Sequence, residues 1–224
     1  MTRVPGVLAD LAVRLTEPGG GARVVRGRPA RRGRKAAVLI LFSGEQGATP
    51  ADLELVLIEK SATLRKHAGQ CAFPGGGVDE ADASSEEAAL REAREEVGID
   101  AATVELLGVL PPAHVAVTGY DVTPVVAWWR EPHPLEIVDT IEVGAVHSLR
   151  VGDLIDPANR VTWRLPMGYE GPAFVVDDLF IWGFTGHLID ALLDLAGWAE
   201  PWDAHRWALV PERFLHRAGL DTGQ

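Results

Sequence analysis

The chain has 224 residues, 47% of them hydrophobic and 24% charged, which suits one globular domain with extensions and a sizeable core and excludes a disordered class. Its 21 Lys and Arg against 32 Asp and Glu leave a formal net charge of −11, which argues against general affinity for nucleic acid or an anionic membrane. Cys71 is the only cysteine, so neither an intrachain disulfide nor a multi-cysteine zinc site is available. The longest early apolar run, Ala36 to Phe42, is far too short for a bilayer, and Met1-Thr2-Arg3 leads to no signal-peptide core, so a cytoplasmic protein is expected.

In chain order, Val7, Leu8, Leu11 and Leu15 recur at helical spacing and predict an amphipathic helix over 5–16, ended by Pro18 and the glycines at 19–21. Arg23, Arg26, Arg28, Arg31, Arg32, Arg34 and Lys35 then form a basic stretch, read as a solvated connection or as a device that steers an anionic substrate or binds a partner. Runs of Val, Leu and Ile predict strands over 35–43 and 54–60 with a polar loop at 44–52 between them. Ser84 offers a capping box to Glu87, and Gly98 suits the left-handed turn after a last helical residue, so 84–97 is predicted helical. Strands are expected over 104–110, 122–129, 143–149 and 171–176, and a helix over 185–198 on Leu188, Leu192, Leu193 and Leu195. Trp198, Trp202 and Trp207 are expected to pack a C-terminal extension. Without a regular βαβ repeat, the pattern favours a mixed sheet with helices packed on it. The expected organisation is an N-terminal helix and basic connection over 1–34, a main domain over 35–195 and an extension over 196–224.

The chemistry concentrates on the helix over 84–97. Glu92, Glu95 and Glu96 stand at i, i+3 and i+4, on one face and within mutual reach, while Leu90, Ala93 and Val97 lie roughly opposite. Three carboxylates so close repel one another unless a cation joins them. Mg²⁺ prefers oxygen ligands and is usually held by one or two carboxylates together with substrate phosphates, and the Phe73-Pro74-Gly75-Gly76-Gly77 turn just upstream suits a diphosphate. The plainer reading is a solvated acidic helix paired with Arg91 and Arg94.

Gly75-Gly76 followed by Arg91-Glu92-Ala93-Arg94-Glu95-Glu96-Val97-Gly98 resembles the Nudix hydrolase box. The resemblance implies an α/β/α sandwich around a mixed β-sheet and hydrolysis of a diphosphate with Mg²⁺ or Mn²⁺. Asp82 lies six residues past Gly76 and nine before Arg91, one residue longer than the general box and similar to the coenzyme A diphosphatase branch. The segment over 61–76 is similar to that branch's signature at Ser61, Leu64, Arg65, His67, Gly69, Gln70 and Phe73. It departs at Lys60, Gly77 and Cys71, where the branch usually has Arg, Lys and an aliphatic residue. Lys60 keeps the charge but loses the flat guanidinium fork.

The roles this resemblance implies are residue by residue. Glu92 and Glu96 hold the principal cation, Glu95 completes a second site, and the Gly76 carbonyl is a further ligand candidate. Arg91 orients a neighbouring carboxylate. Glu142, from a later loop, is the candidate base, its alternative being a surface carboxylate at a strand start. Lys60, Arg65, Lys66 and His67 are the cations expected to receive the 3′-phosphate of a coenzyme A substrate, with a structural hydrogen bond as the other reading of His67. The products would be 4′-phosphopantetheine, or its acyl form, and adenosine 3′,5′-bisphosphate. Competing readings are a Nudix hydrolase of ADP-ribose, NADH, a dinucleotide or an oxidised nucleotide, and a Nudix-fold module that binds without turnover. A homodimer is compatible with the sequence, which carries no signal for it.

Overall fold

The computed structural model describes residues 3–17, 19, 33–165 and 168–215. The basic positions 23–32 and the last nine residues therefore lie outside the described residues. Ten residues of strand β1 (Arg34–Ser43) run parallel to β7 (Tyr120–Trp129), paired from Arg34↔Tyr120 to Ser43↔Trp129. Such a pair is covered on both faces, which is why both strands read as almost unbroken apolar runs. Around it, β2 (Glu54–Lys60), β3 (Cys71–Ala72), β4 (Gly75–Gly77), β5 (Val104–Val109), β6 (Ala113–Val115) and β8 (Val143–Arg150) complete a mixed eight-stranded sheet. Its path is β3-β2-β1-β7-β5, with β4 on β1, β6 on β7 and β8 on β2.

Period-two alternation sorts the strand side chains into two cores. Ala37, Leu39 and Leu41 of β1, Val56 and Ile58 of β2, and Val125 and Ala127 of β7 face helix α2 (Ser85–Val97) through Ala88, Ala89, Ala93 and Val97. Ile40, Phe42, Leu55, Leu57, Val126 and Trp128 face the opposite way. There they meet Leu8, Leu11 and Leu15 of α1 (Gly6–Thr16) and Leu188, Leu192 and Leu193 of α4 (Gly183–Ala196), with α3 (Val151–Ile155) at the edge. The expected helix–sheet–helix sandwich around a mixed sheet is the observed one.

The predicted strands and helices begin and end within about two residues of the observed ones. Ser84 caps α2 by accepting the Glu87 N–H at 3.2 Å, while the Glu87 carboxylate accepts from Ala83 N–H, so only one arm of the predicted capping box forms. Gly98 is left-handed, as expected. Two expectations are corrected. Gly75–Gly77, read as a turn, is a strand antiparallel to β1; a side chain at Gly75 would meet the Ala37 carbonyl at 2.3 Å, so only a glycine lets this backbone come close. The C-terminal part also holds a second sheet that the sequence reading had only as one strand. It comprises β9 (Arg160–Arg164), β10 (Glu170–Val176), β11 (Leu179–Ile181) and β12 (Trp207–Leu209), followed by α5 (Glu212–Leu215). Phe174, Val176 and Ile181 turn one face of this sheet to the α4 core. Val161, Trp163, Phe180, Val210 and Phe214 form a small core on the other.

The segments expected as N- and C-terminal extensions thus contribute α1 to one core and β12 and α5 to another. Of the late tryptophans, Trp198 packs edge-on to Phe42, Trp202 covers the Arg160 guanidinium and Trp207 lies under Arg164. Among the described residues no helix is long and apolar enough to cross a membrane.

Cys71 is buried in β3 with its carbonyl accepting Thr185 Oγ1 at 3.1 Å, and burial pushes its thiol up to about 12. The thiolate is the reactive form. Native protein should therefore resist iodoacetamide at mildly alkaline pH and react only once unfolded, as read by mass spectrometry of the Cys71 peptide. Leu11 is 1% exposed in the α1–α4 interface, so Leu11→Ala should lower unfolding free energy by about 2–5 kcal/mol in urea denaturation.

Candidate active site

The acidic face of α2 stands over β4 and the end of β2, and two cations of the chain hold it there. Arg91 lies at the centre of the first group. Its Nε and Nη2 grip Asp82 Oδ1 and Oδ2, each at 3.0 Å, a two-point grip. Nη1 donates to Glu92 Oε1 at 3.0 Å and Glu95 Oε2 at 3.1 Å, and Nη2 also donates to the Gly77 carbonyl at 2.9 Å. One guanidinium thus joins the acidic helix to β4 and to the loop after it. These bonds, that to Asp82 foremost, hold Arg91 firmly protonated. The Arg91 fork in turn holds the Asp82 carboxyl below the usual range, helped by the Asp79 N–H at 2.8 Å. Asp82 entered the sequence reading only as a spacing marker; as the main partner of Arg91 it is the residue that reading missed, and its position in the lengthened box was the available signal.

Glu96 forms the second group. Its side chain is 4% exposed, yet Oε1 accepts from Lys60 Nζ at 2.9 Å and Oε2 from the Gly75 N–H at 2.8 Å. Burial raises the Glu96 carboxyl above its ordinary value, with Lys60 pulling against it. For Lys60, burial alone would depress the ammonium, but Glu96 and Glu142 outweigh it and leave a net rise. Lys60 Nζ also donates to Glu142 Oε2 at 3.3 Å, so Glu142, half exposed, stands at the rim of the same group. A one-residue bulge makes this possible. The β2–β8 ladder slips between Glu59 and Lys60, so Lys60 pairs with Val143, Gly144 is the extra residue, and Glu142 comes alongside.

Glu92 lies flat on the β4 backbone: a methyl group built on Gly76 would stand 2.6 Å from the Glu92 carboxylate. Burial first, then repulsion from Glu96 and Glu95, raise the Glu92 carboxyl against the pull of Arg91. Leu39 N–H donates to the Pro74 carbonyl and Val78 N–H to the Lys35 carbonyl, and ladder alternation then puts Gly76 in a hydrogen-bonded position opposite Ala37. Its carbonyl therefore keeps one lone pair for another partner.

The donors on this face are all hard oxygens, and Gly76 leaves the space that a carboxylate cluster needs, so Glu92, Glu95 and Glu96 fit a divalent cation. Among the described residues no three acidic, His or Cys groups already converge on one point. Arg91 draws Glu92 and Glu95 to one side while Lys60 draws Glu96 to the other.

The β2–β3 loop, 61–70, carries the other predicted residues. Arg65 and Lys66 are exposed on it. His67 Nδ1 bonds Gln70 Oε1 at 3.1 Å, its Nε2 is buried without a hydrogen bond, and its φ is +58°. Lys60, expected to stand with these cations, instead lies between Glu96 and Glu142, because two carboxylates flank its ammonium.

Asp82→Asn removes the two-point grip, and loss of a partner that orients ligands typically costs about 10–100-fold in metal affinity or activity, the expected drop here. Because the folded Asp82 carboxyl titrates below its unfolded value, its stabilising contribution is present above the ordinary aspartate range and lost as pH falls through the depressed value. The substitution should flatten that acid-side loss in denaturation curves measured across pH.

Comparison with known proteins identifies the family. The family model described as the NUDIX domain matches residues 33–163. The chain is 65% identical over 143 residues to the uncharacterized Nudix hydrolase NudL of Escherichia coli SMS-3-5, covering 62% of this chain and 72% of that one. It is 56% identical over 164 residues to NudL of Citrobacter koseri, covering 71% and 81%. The crystal structure of a Nudix hydrolase from M. smegmatis, RenU, shares the fold with a TM-score of 0.51 at 19% identity, over 76% of this chain and 89% of that one. A family model over more than half of the chain, on a helix and glycine strand arranged as described, shows that this chain belongs to the Nudix hydrolases, enzymes that act on diphosphate bonds and generally use divalent metal ions.

Proposed function

We propose that the protein hydrolyses the diphosphate of coenzyme A or its derivatives, releasing 4′-phosphopantetheine or its acyl form and adenosine 3′,5′-bisphosphate. The observation that carries this reading is the attachment of the 61–70 loop to the acidic site. Lys60 N–H donates to the Gln70 carbonyl at 3.0 Å and Gly69 N–H to the Lys60 carbonyl at 2.8 Å, while Lys60 Nζ touches Glu96. A loop bearing exposed Arg65 and Lys66 is thereby tethered to the carboxylates, in a chain whose net charge of −11 would otherwise repel a polyanion.

In this reading Glu92 and Glu96 would hold the principal Mg²⁺ or Mn²⁺, with the Gly76 carbonyl as a further ligand and Glu95 completing a second site when substrate is bound. The ion supplies neutralisation of charge on the diphosphate oxygens. Arg91 is a positioning residue, fixing Glu92 and Glu95 against β4 through Asp82 and Gly77. Glu142 is the base, taking a proton from the attacking water; its contact with Lys60 at 3.3 Å orients the carboxylate toward the buried group. Arg65, Lys66 and His67 receive the 3′-phosphate. One observation favours a second reading: with Lys60 engaged by two carboxylates, fewer cations remain for a third phosphate, which suits a substrate without one, such as ADP-ribose or NADH.

Turnover of coenzyme A, ADP-ribose, NADH and oxidised nucleotides with Mg²⁺ or Mn²⁺, with products identified by mass, separates the two. Release of 4′-phosphopantetheine that Glu96→Gln abolishes is expected; turnover of only another compound would overturn the coenzyme A reading. Arg65→Ala should raise KM for coenzyme A more than for its 3′-dephospho form, and an equal rise for both would remove Arg65 from phosphate recognition.

A further inference from the structure

The 61–70 loop turns twice through the left-handed region, at His67 (φ +58°) and Gly69 (φ +67°). Glycine takes that region freely, whereas at His67 it is the less common conformation and gains from support by the surroundings. Ser61 N–H anchors the start of the loop to the Glu142 carbonyl at 2.7 Å, and the bonds described beyond it are short-range: Leu64 N–H to the Ser61 carbonyl, the Ser61–Thr63 contacts, Gln70 N–H to the His67 carbonyl, and the His67–Gln70 side-chain contact. On the side that a residue at 69 would face, the nearest atoms are Phe214 Cε1, 3.6 Å from a methyl group built on Gly69, and Glu59 Oε1 at 3.8 Å.

Phe214 comes from α5, 145 positions later in the chain, and is 2% exposed. Its ring stacks on Trp182 at 6.3 Å between centroids, and Trp182 meets Trp163 edge to face at 5.4 Å. The small C-terminal sheet, whose strand β11 also borders β3 where this loop ends, thus places one ring beside the loop that carries Arg65 and Lys66, and the loop is joined through Gly69 and Lys60 to the acidic site. We infer that Phe214 is a positioning residue for substrate binding: it braces the 61–70 loop so that Arg65 and Lys66 face a bound polyanion. The inference rests on the reading of that loop as the substrate loop; the bracing itself does not depend on which diphosphate is cleaved.

Trypsin reads the brace directly, because Arg65 and Lys66 are exposed cleavage points on the loop. Phe214→Ala should accelerate cleavage after these residues and raise KM for coenzyme A several-fold with kcat close to that of the native enzyme, and Phe214→Leu should restore part of both. Leu11→Ala, which weakens a different core, controls for general destabilisation and should leave early cleavage at the loop unchanged. Unchanged loop cleavage and unchanged KM in Phe214→Ala would overturn the inference, as would equal loop cleavage in Leu11→Ala. Should Phe214→Ala fail to fold, loop cleavage in Phe214→Leu decides, faster than native supporting the brace and native-like rates overturning it. A native enzyme inactive on coenzyme A would defeat the substrate reading, while the cleavage result would still decide the brace.

Discussion

A carboxylate withdrawn from water is costly unless its oxygens are matched by donors, and Glu96 meets that condition with one charged partner and one backbone partner. Lys60 belongs to β2, Gly75 to β4 and Glu96 to α2, so this one side chain joins three elements far apart in sequence. The other acids take their places from it. With the helix fixed at its C-terminal end by Glu96, Glu92 falls on the bare backbone of Gly76 and Arg91 reaches across to Asp82 and Gly77. Removing one partner of such a group leaves the other buried and unmatched, the expensive half of the exchange.

The sheet supplies the rigidity that this arrangement needs. The β1–β7 pair is buried on both faces, so a one-residue slip would exchange Leu39 and Leu41 for Ile40 and Phe42 and disrupt two cores at once. The site is carried on the flank of that pair, where β4 adds a short glycine strand and β2 ends in a bulge. Regular pairing makes the platform and a local irregularity aims Lys60 and Glu142 at each other.

Long runs were the legible part of the sequence. Val, Leu and Ile in β1, β2 and β7, and the capped acidic α2, each carry enough periodic signal to define an element and its face. The two- and three-residue strands β3, β4, β6, β11 and β12 do not, since they exist only because a partner strand is already present. Gly75–Gly77 misled in a particular way: glycine favours turns, yet here its value is the missing side chain beneath Glu92 and beside Ala37. The acids, Arg91 and Glu142 could be named from their spacing and family likeness. The position of Lys60 between Glu96 and Glu142 could not, because it depends on a bulge between strands that the sequence does not pair.

The placement of Cys71 bears on how such a protein would meet a thiol. Disulfide exchange needs an accessible thiolate on one side, and the chain's sole thiol, Cys71, is buried with its ionisation pushed well above neutral pH. A substrate or product ending in a sulfhydryl would therefore find nothing on this protein to form a mixed disulfide with. Catalysis would then be insulated from thiol exchange with its surroundings, and oxidised and reduced forms of a thiol-bearing substrate would be told apart by non-covalent contacts alone.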